Sequence, residues 1–129
     1  MPRVAVFGPN PLLSVTIEAR GGDDDVHVHA GGQGVWLSRM AAELGAEPVL
    51  CCLLGGETGT VLSGLLDGLP ITLRATPSAG ACGCYVIDRR DGTRRLVAQT
   101  AAPVPSRHEL DDLVAGTVAA ALESDVLAI

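Results

Sequence analysis

Apolar positions along the chain recur in two different periods, and the alternation between them predicts the elements. Arg3 to Phe7, Pro48 to Leu54 and Pro70 to Arg74 are short, nearly continuous apolar runs, the pattern of strands buried on both faces. Leu12 to Glu18 is apolar and β-branched, a further strand. Val26-His27-Val28-His29 alternates strictly, as a half-exposed strand does. After Gly31-Gly32-Gln33-Gly34 the period changes. Leu37, Met40, Ala41 and Leu44 fall at helical spacing and predict a helix buried along that stripe and stopped at Gly45. Gly55-Gly56 precedes a second helix with Thr58, Val61, Leu62 and Leu65 on one face. Cys82 to Asp88 and Thr93 to Ala98 flank Arg89-Arg90-Asp91-Gly92, a hairpin whose Asp-Gly pair suits positive φ. Ser106 and Glu109 have the spacing of a capping box, opening a helix with Leu110, Leu113, Val114, Thr117 and Ala121 on its buried side. Asp125 to Ile129 is again a strand-like apolar run.

Strands alternating with helices predict an α/β fold, a parallel sheet with helices on its faces. The alternating strands near 12–18, 26–30, 82–88 and 93–98 suit instead a second, smaller sheet covered on one side. At 129 residues the chain has the size of one domain. The terminal strand calls for neighbours on both sides, so the chain is expected to form the first part of a larger α/β domain.

Composition narrows the chemistry. Only one Phe, one Tyr and one Trp are present among 47% hydrophobic residues, so the core is expected to consist of Leu, Val, Ile and Ala. A net charge of −6 disfavours nucleic acid and anionic membranes as partners. All nine basic residues are Arg, and the missing lysine excludes both a Walker phosphate loop and a Schiff base. The longest clean apolar run, Val49 to Leu54, is far short of a membrane span. Cys51, Cys52, Cys82 and Cys84 are adjacent or alternate pairs, poor disulfide frameworks, which points to reduced thiols in the cytoplasm. His27 and His29 share a strand face, as do Cys82 and Cys84. Neither spacing is that of a zinc finger, so ordinary strand packing is expected and no metal site. Asp23-Asp24-Asp25 reads as a solvated turn, and Arg89, Arg90, Arg94 and Arg95 as an exposed hairpin tip.

Four segments carry a more specific signal: Asn10-Pro11, Gly31-Gly32-x-Gly34 opening a helix, Leu54-Gly55-Gly56-x-Thr58-Gly59, and Asp88-x-x-Asp91-Gly92-Thr93. In order, spacing and strand–helix context this series resembles the pfkB-type carbohydrate kinases of the ribokinase family. The resemblance is greatest to the 1-phosphofructokinase and tagatose-6-phosphate kinase branch. It implies a ribokinase-like sheet with a small β lid over the sugar site, and in many relatives the lid also clasps a homodimer. On that resemblance the acceptor side is supplied by Asn10, Ser14, Gly31, Gly32, Gln33, Gly34 and Trp36. The catalytic aspartate, anion hole, ATP and Mg²⁺ belong to a later half that these 129 residues do not match, so no catalytic residue is expected here. Glycines at a helix start let backbone approach a ligand and offer free N–H groups; a tight turn without a ligand explains them equally well.

The departures from the family pattern bear on the substrate. Ser14 stands where an aspartate is usual, Gln33 where a lysine is, and Trp36 where an asparagine is. Ala81, Gly83 and Ala98 fall near positions of a usual arginine and two asparagines. Each lost polar partner costs about 1–3 kcal/mol of binding. Three readings therefore stand side by side. The first is the acceptor-binding and lid portion of an ATP-dependent sugar or sugar-phosphate kinase. The second is a non-catalytic ligand-binding or dimerisation module on the same scaffold. The third is a kinase portion for a nucleoside-like acceptor, read from Trp36, which lies off the Leu37–Met40–Ala41–Leu44 stripe.

Overall fold

A computed structural model describes all 129 residues. The chain runs β1 (Arg3–Phe7), β2 (Leu12–Arg20), β3 (Asp23–Gly31), α1 (Gln33–Glu43), β4 (Glu47–Leu54) and α2 (Gly56–Asp67). It continues through β5 (Thr72–Pro77), β6 (Cys84–Asp88), β7 (Arg95–Thr100), α3 (Arg107–Leu122) and β8 (Val126–Ala128). Four strands form a wholly parallel sheet in the order β5-β4-β1-β8. The other four form a second sheet, β3-β2-β6-β7, parallel at β2–β6 and antiparallel elsewhere.

The helices sandwich the parallel sheet because its strands are apolar on both faces. Ala5, Val49, Cys51 and Leu53 pack against Leu113 and Ala120 of α3. On the other face Val6, Leu50 and Cys52 pack against Val35 of α1 and Leu66 of α2. The second sheet interrupts this plan twice. Its hairpin β2–β3 leaves after β1, and β6–β7 leaves after β5, both from the carboxyl ends of the parallel strands. The second sheet they build, which stands in the place expected for the lid and is given that label below, is anchored where Leu13, Leu62 of α2 and Cys82 meet in a small core.

The helical stripes are where sequence pattern and structure part. In α1 the buried residues are Val35 and Ser38, whereas Leu37, Met40 and Leu44 are exposed, Leu44 by 82%. The reason is a close approach. A Cβ on Gly34 would sit 2.7 Å from the Cα of Gly8 at the end of β1, so only a face of small residues fits against the strand. In α2 Gly59, Leu62 and Leu66 are buried and Val61 is not; in α3 Leu113, Thr117 and Ala120 are buried, with Leu110 and Val114 left exposed. The capping box at Ser106 and Glu109 forms with both of its hydrogen bonds, at 2.8 and 3.1 Å.

The Asp-rich segment is also not a loose turn. Gly21 and Gly22, both at positive φ, make a two-residue turn by themselves, so Arg20 pairs with Asp23 and all three aspartates lie in β3. That tight turn leaves more chain for pairing, so β2 and β3 run longer than expected, whereas β6 starts later, at Cys84, and a six-residue connection delays β7 to Arg95.

Three substitutions should separate packing from propensity. Gly34→Ala forces atoms into the β1 backbone and should lower unfolding free energy by about 1–3 kcal/mol. Leu62→Ala, beneath the lid, should cost about 2–5 kcal/mol. Gly64→Ala, where an added methyl meets nothing within 4 Å, should instead stabilise α2 by roughly 0.4–1 kcal/mol. Urea denaturation followed by far-ultraviolet dichroism measures all three.

Candidate functional site

In a parallel α/β sheet ligands collect outside the carboxyl ends of the strands, at the point where the crossovers change face. Here α1 and α2 lie on one face and α3 on the other, which puts that point at the end of β1 beside β8. The second sheet departs from the same end. Between them lies an open cleft of about 510 Å³, lined by Leu12, Ser14, His29, Ala30, Gly31, Gly32, Trp36, Arg39 and Tyr85.

Strand register explains why those lid residues converge. Ser14 on β2 is directly opposite His29 on β3 and Tyr85 on β6, so the three stand in one row on one face of the lid. The next row outward is His27, Thr16 and Ile87, and the His27 and His29 rings stack with centroids 6.2 Å apart. Asp25 and Glu18 form the row beyond that. His27 Nε2 lies 3.1 Å from Asp25 Oδ2. From Ser14 to Glu18 is four residues of extended chain, roughly 13 Å, so these carboxylates stand well away from the cleft.

The floor comes from the β3–α1 turn. Gly32, at φ 104°, caps α1 with no side-chain hydrogen bond, and a Cβ there would press on the carbonyl of Asn10. The first N–H groups of α1 thus have no intrahelical partner. One turn into the helix the Trp36 ring projects 64% exposed, with the Arg39 guanidinium 5.7 Å from its centroid.

The expected site residues divide. Ser14, Gly31, Gly32 and Trp36 come together at the cleft. Gln33 is exposed outside it, and Gly34 is occupied in packing against Gly8. The Asn10 side lines a separate crevice with Pro11, Ser78, Cys82, Gly83 and Pro103. His29, Tyr85 and Arg39 were not among the expected site residues. Arg39 follows Trp36 by three residues, one helical turn, and that spacing was the signal for it. Tyr85 and His29 needed the strand register. The second glycine pair, Gly55-Gly56, is packed on one side by Ser78, Gly80 and Ala81, while Gly56 stays exposed and the pair lines a shallow pocket with Gly59, Thr60 and Ser63.

Other polar clusters are structural. Asp88 is gripped by Arg90 through Nε at 3.0 Å and Nη2 at 2.9 Å, and by Arg95 at 3.0 Å. Arg90 also reaches Asp24 on β3 at 3.2 Å, tying the two hairpins together across β2. The hairpin arginines at 90 and 95 are therefore engaged rather than a free tip, and Asp24 is not merely solvated. The Arg90 bonds, with those of Arg95, hold the Asp88 carboxyl well below the usual carboxylate range. Burial pushes the Cys52 thiol up to about 12, helped by Cys82 and Cys51, and raises Cys51, so neither serves as a nucleophile. His27 and His29 are on β3 and Cys84 on β6, with β2 between them, and no group of three or more His, Cys, Asp or Glu could hold a metal ion.

A second surface stands out by its apolarity. Leu110, Val114, Val118 and Leu122 form an exposed stripe on the flank of α3 away from β5, where Gly116 instead accepts from Arg74 at 3.0 Å. Leu127 of β8 lies on that face of the sheet, opposite Ala5. On the other face Leu37, Met40 and Leu44 of α1 and Val126 of β8 are also exposed. Val126 and Leu127 thus expose apolar side chains on the two faces of the β8 edge, while Leu37, Met40 and Leu44 stand on the side of α1 opposite its buried Val35 and Ser38. No helix is long and apolar enough to cross a membrane.

This arrangement, a parallel sheet with a β lid over its carboxyl end, is the ribokinase-like α/β fold. Among solved structures the chain is similar to a possible 1-phosphofructokinase from Thermotoga maritima, with TM-score 0.78 and 19% identity over 97% of this chain and 43% of that one. It is also similar to phosphofructokinase-2 from Escherichia coli in complex with fructose-6-phosphate, with TM-score 0.72 and 16% identity over 100% of this chain and 54% of that one. The tetrameric inhibited form of the same Escherichia coli enzyme gives TM-score 0.69 and 17% identity over 88% and 40%. The chain spans about half the length of these neighbours or less. No family model matches the sequence, and no curated protein matches it.

The Asp88 cluster makes a signed pH prediction. A carboxyl with a depressed folded pKa stabilises fully above its unfolded value of about 3.9 and loses that contribution as pH falls toward the folded value. Asp88→Asn should therefore lower the urea midpoint at pH 7. The gap to the parent should shrink steadily below about pH 4, as pH-stepped denaturation curves will show.

Proposed function

We propose that these 129 residues are the acceptor-binding and lid portion of an ATP-dependent pfkB-type carbohydrate kinase, acting on a sugar or sugar phosphate. The observation that carries this reading is the cleft itself. Ser14, His29 and Tyr85 from the lid face Gly31, Gly32 and Trp36 at the carboxyl end of the parallel sheet. Lid hydroxyl and imidazole groups and the backbone of the glycine turn suit hydroxyls of an acceptor, and closure of the lid would exclude water from a phosphoryl transfer.

The cleft is not equipped to hold Mg-ATP as a phosphoryl donor. It has no carboxylate for Mg²⁺, and the chain has no lysine for a triphosphate. We therefore place no catalytic residue in this chain and derive no step from it. The general base and the groups that hold ATP and Mg²⁺ are proposed to come from polypeptide packed along β8, where apolar residues of α1, α3 and β8 lie uncovered. Asn10, Gln33 and Gly34 act in this reading through the shape of the turn. The outer face of the lid exposes Val26 and Val28, which supports a homodimer through the lid sheet. Four free thiols support a reducing, cytoplasmic setting.

Amide-resolved NMR titration of the chain with hexoses and hexose phosphates tests the acceptor reading. Shifts centred on Ser14, Gly31 and Gly32 are expected. Absence of any shift at those amides under millimolar sugar or sugar phosphate would sink it in favour of a non-catalytic module. The β8 surface has its own check. The chain should bind a hydrophobic dye, and Leu44→Glu with Leu122→Glu should cut that binding severalfold. Surface changes of this kind should move unfolding free energy by no more than about 0.5 kcal/mol.

A further inference from the structure

The cleft is aromatic and cationic in a chain that is neither. The protein has one Phe, one Tyr and one Trp, and two of these three, Tyr85 and Trp36, line this one cleft together with His29. Trp36 is left 64% exposed instead of being used to fill a core that otherwise contains almost no aromatic residue. The chain has 15 acidic and nine basic side chains, yet the only formally charged residue lining the cleft is Arg39. Arg39 has no carboxylate partner; the ion pairs of the molecule involve Arg20, Arg90, Arg95, His27 and His108. Its guanidinium is steadied instead over the Trp36 ring. A weakly hydrated planar cation held in that way keeps its N–H fork free for an oxyanion.

Resting on the reading of this cleft as the acceptor site, we infer that the acceptor is an aromatic anion, its ring stacked on Trp36 and its phosphate or carboxylate met by Arg39. The inner lid row complements such a ligand. Ser14 and Tyr85 offer hydroxyls, and His29 adds another ring. The carboxylates that would repel an anion are two rows away, paired with His27. Arg39 is the specificity-determining residue for the charge, and Trp36 for the ring.

Trp36 is the single tryptophan, so its fluorescence reports this cleft alone. The 129-residue chain would be titrated with adenosine 5′-monophosphate, adenosine, a hexose 6-phosphate and inorganic phosphate, with calorimetry for the variant that lacks the fluorophore. Adenosine monophosphate should quench Trp36 and bind about tenfold tighter than either adenosine or the hexose phosphate, the size of one charge-assisted contact or one stacked ring. Arg39→Leu should bring the monophosphate to within about threefold of adenosine, and Arg39→Lys should restore part of the gap. Trp36→Leu should weaken both adenine ligands while leaving the hexose phosphate unchanged. Thermal midpoints of all variants should match the parent, since both side chains are exposed.

Equal affinity for hexose phosphate and adenosine monophosphate, or no effect of Arg39→Leu, overturns the inference while the acceptor-site reading stands. Binding of the aromatic anion with no shift at Ser14, Gly31 or Gly32 overturns it as well, by placing the ligand elsewhere. If no sugar, sugar phosphate or nucleotide perturbs the cleft at all, both readings fall.

Discussion

The close approach of Gly8 and Gly34 is the contact on which the functional end of this molecule depends. With no side chain on either residue, the first turn of α1 lies directly against the end of β1. That contact fixes where Gly31 and Gly32 open, which way Trp36 and Arg39 project, and which face of α1 meets the sheet. A larger residue at either position would lift the helix start away from the strand, and the cleft floor would move with it. The same constraint leaves the larger apolar residues of α1 outside, because a helix seated on glycine, valine and serine cannot also turn Leu37 and Met40 inward.

The second sheet has its own ties. Leu13, Leu62 and Cys82 join it to α2, and the Asp88–Arg90–Asp24 bridge joins its two hairpins. The row His29–Ser14–Tyr85 is thereby presented to the glycine turn by strands whose register is fixed at both ends. Such a site is made by superposing two independently braced elements, so its specificity rests on what the inner row and the first turn of α1 each supply. Here they supply rings, hydroxyls and one cation.

The asymmetry of the parallel sheet is equally informative. Its β5 side is finished with polar contacts such as Arg74 to Gly116, whereas β8 and the flank of α3 away from β5 leave apolar residues in water. Patches of that kind are costly to leave bare and mark surfaces that another polypeptide covers. Solved structures of the same fold are about twice as long as this chain, which is consistent with such a covering element.

Sequence alone determined the element order, the parallel sheet, the separate second sheet and the helix start at Gly31–Gly34, because periodicity, glycine punctuation and capping are local properties of the chain. It determined too that no lysine chemistry operates here. It did not determine which side of each helix is buried: apolar spacing marks a stripe, but only packing decides whether that stripe meets the core or awaits a partner, as Leu37, Met40, Leu110 and Val114 show. Nor did it reveal that His29, Ser14 and Tyr85 share a row, since residues up to 71 positions apart meet only through strand register. The cleft belongs to tertiary structure for that reason: its chemistry comes from side chains that no local window of the sequence contains together.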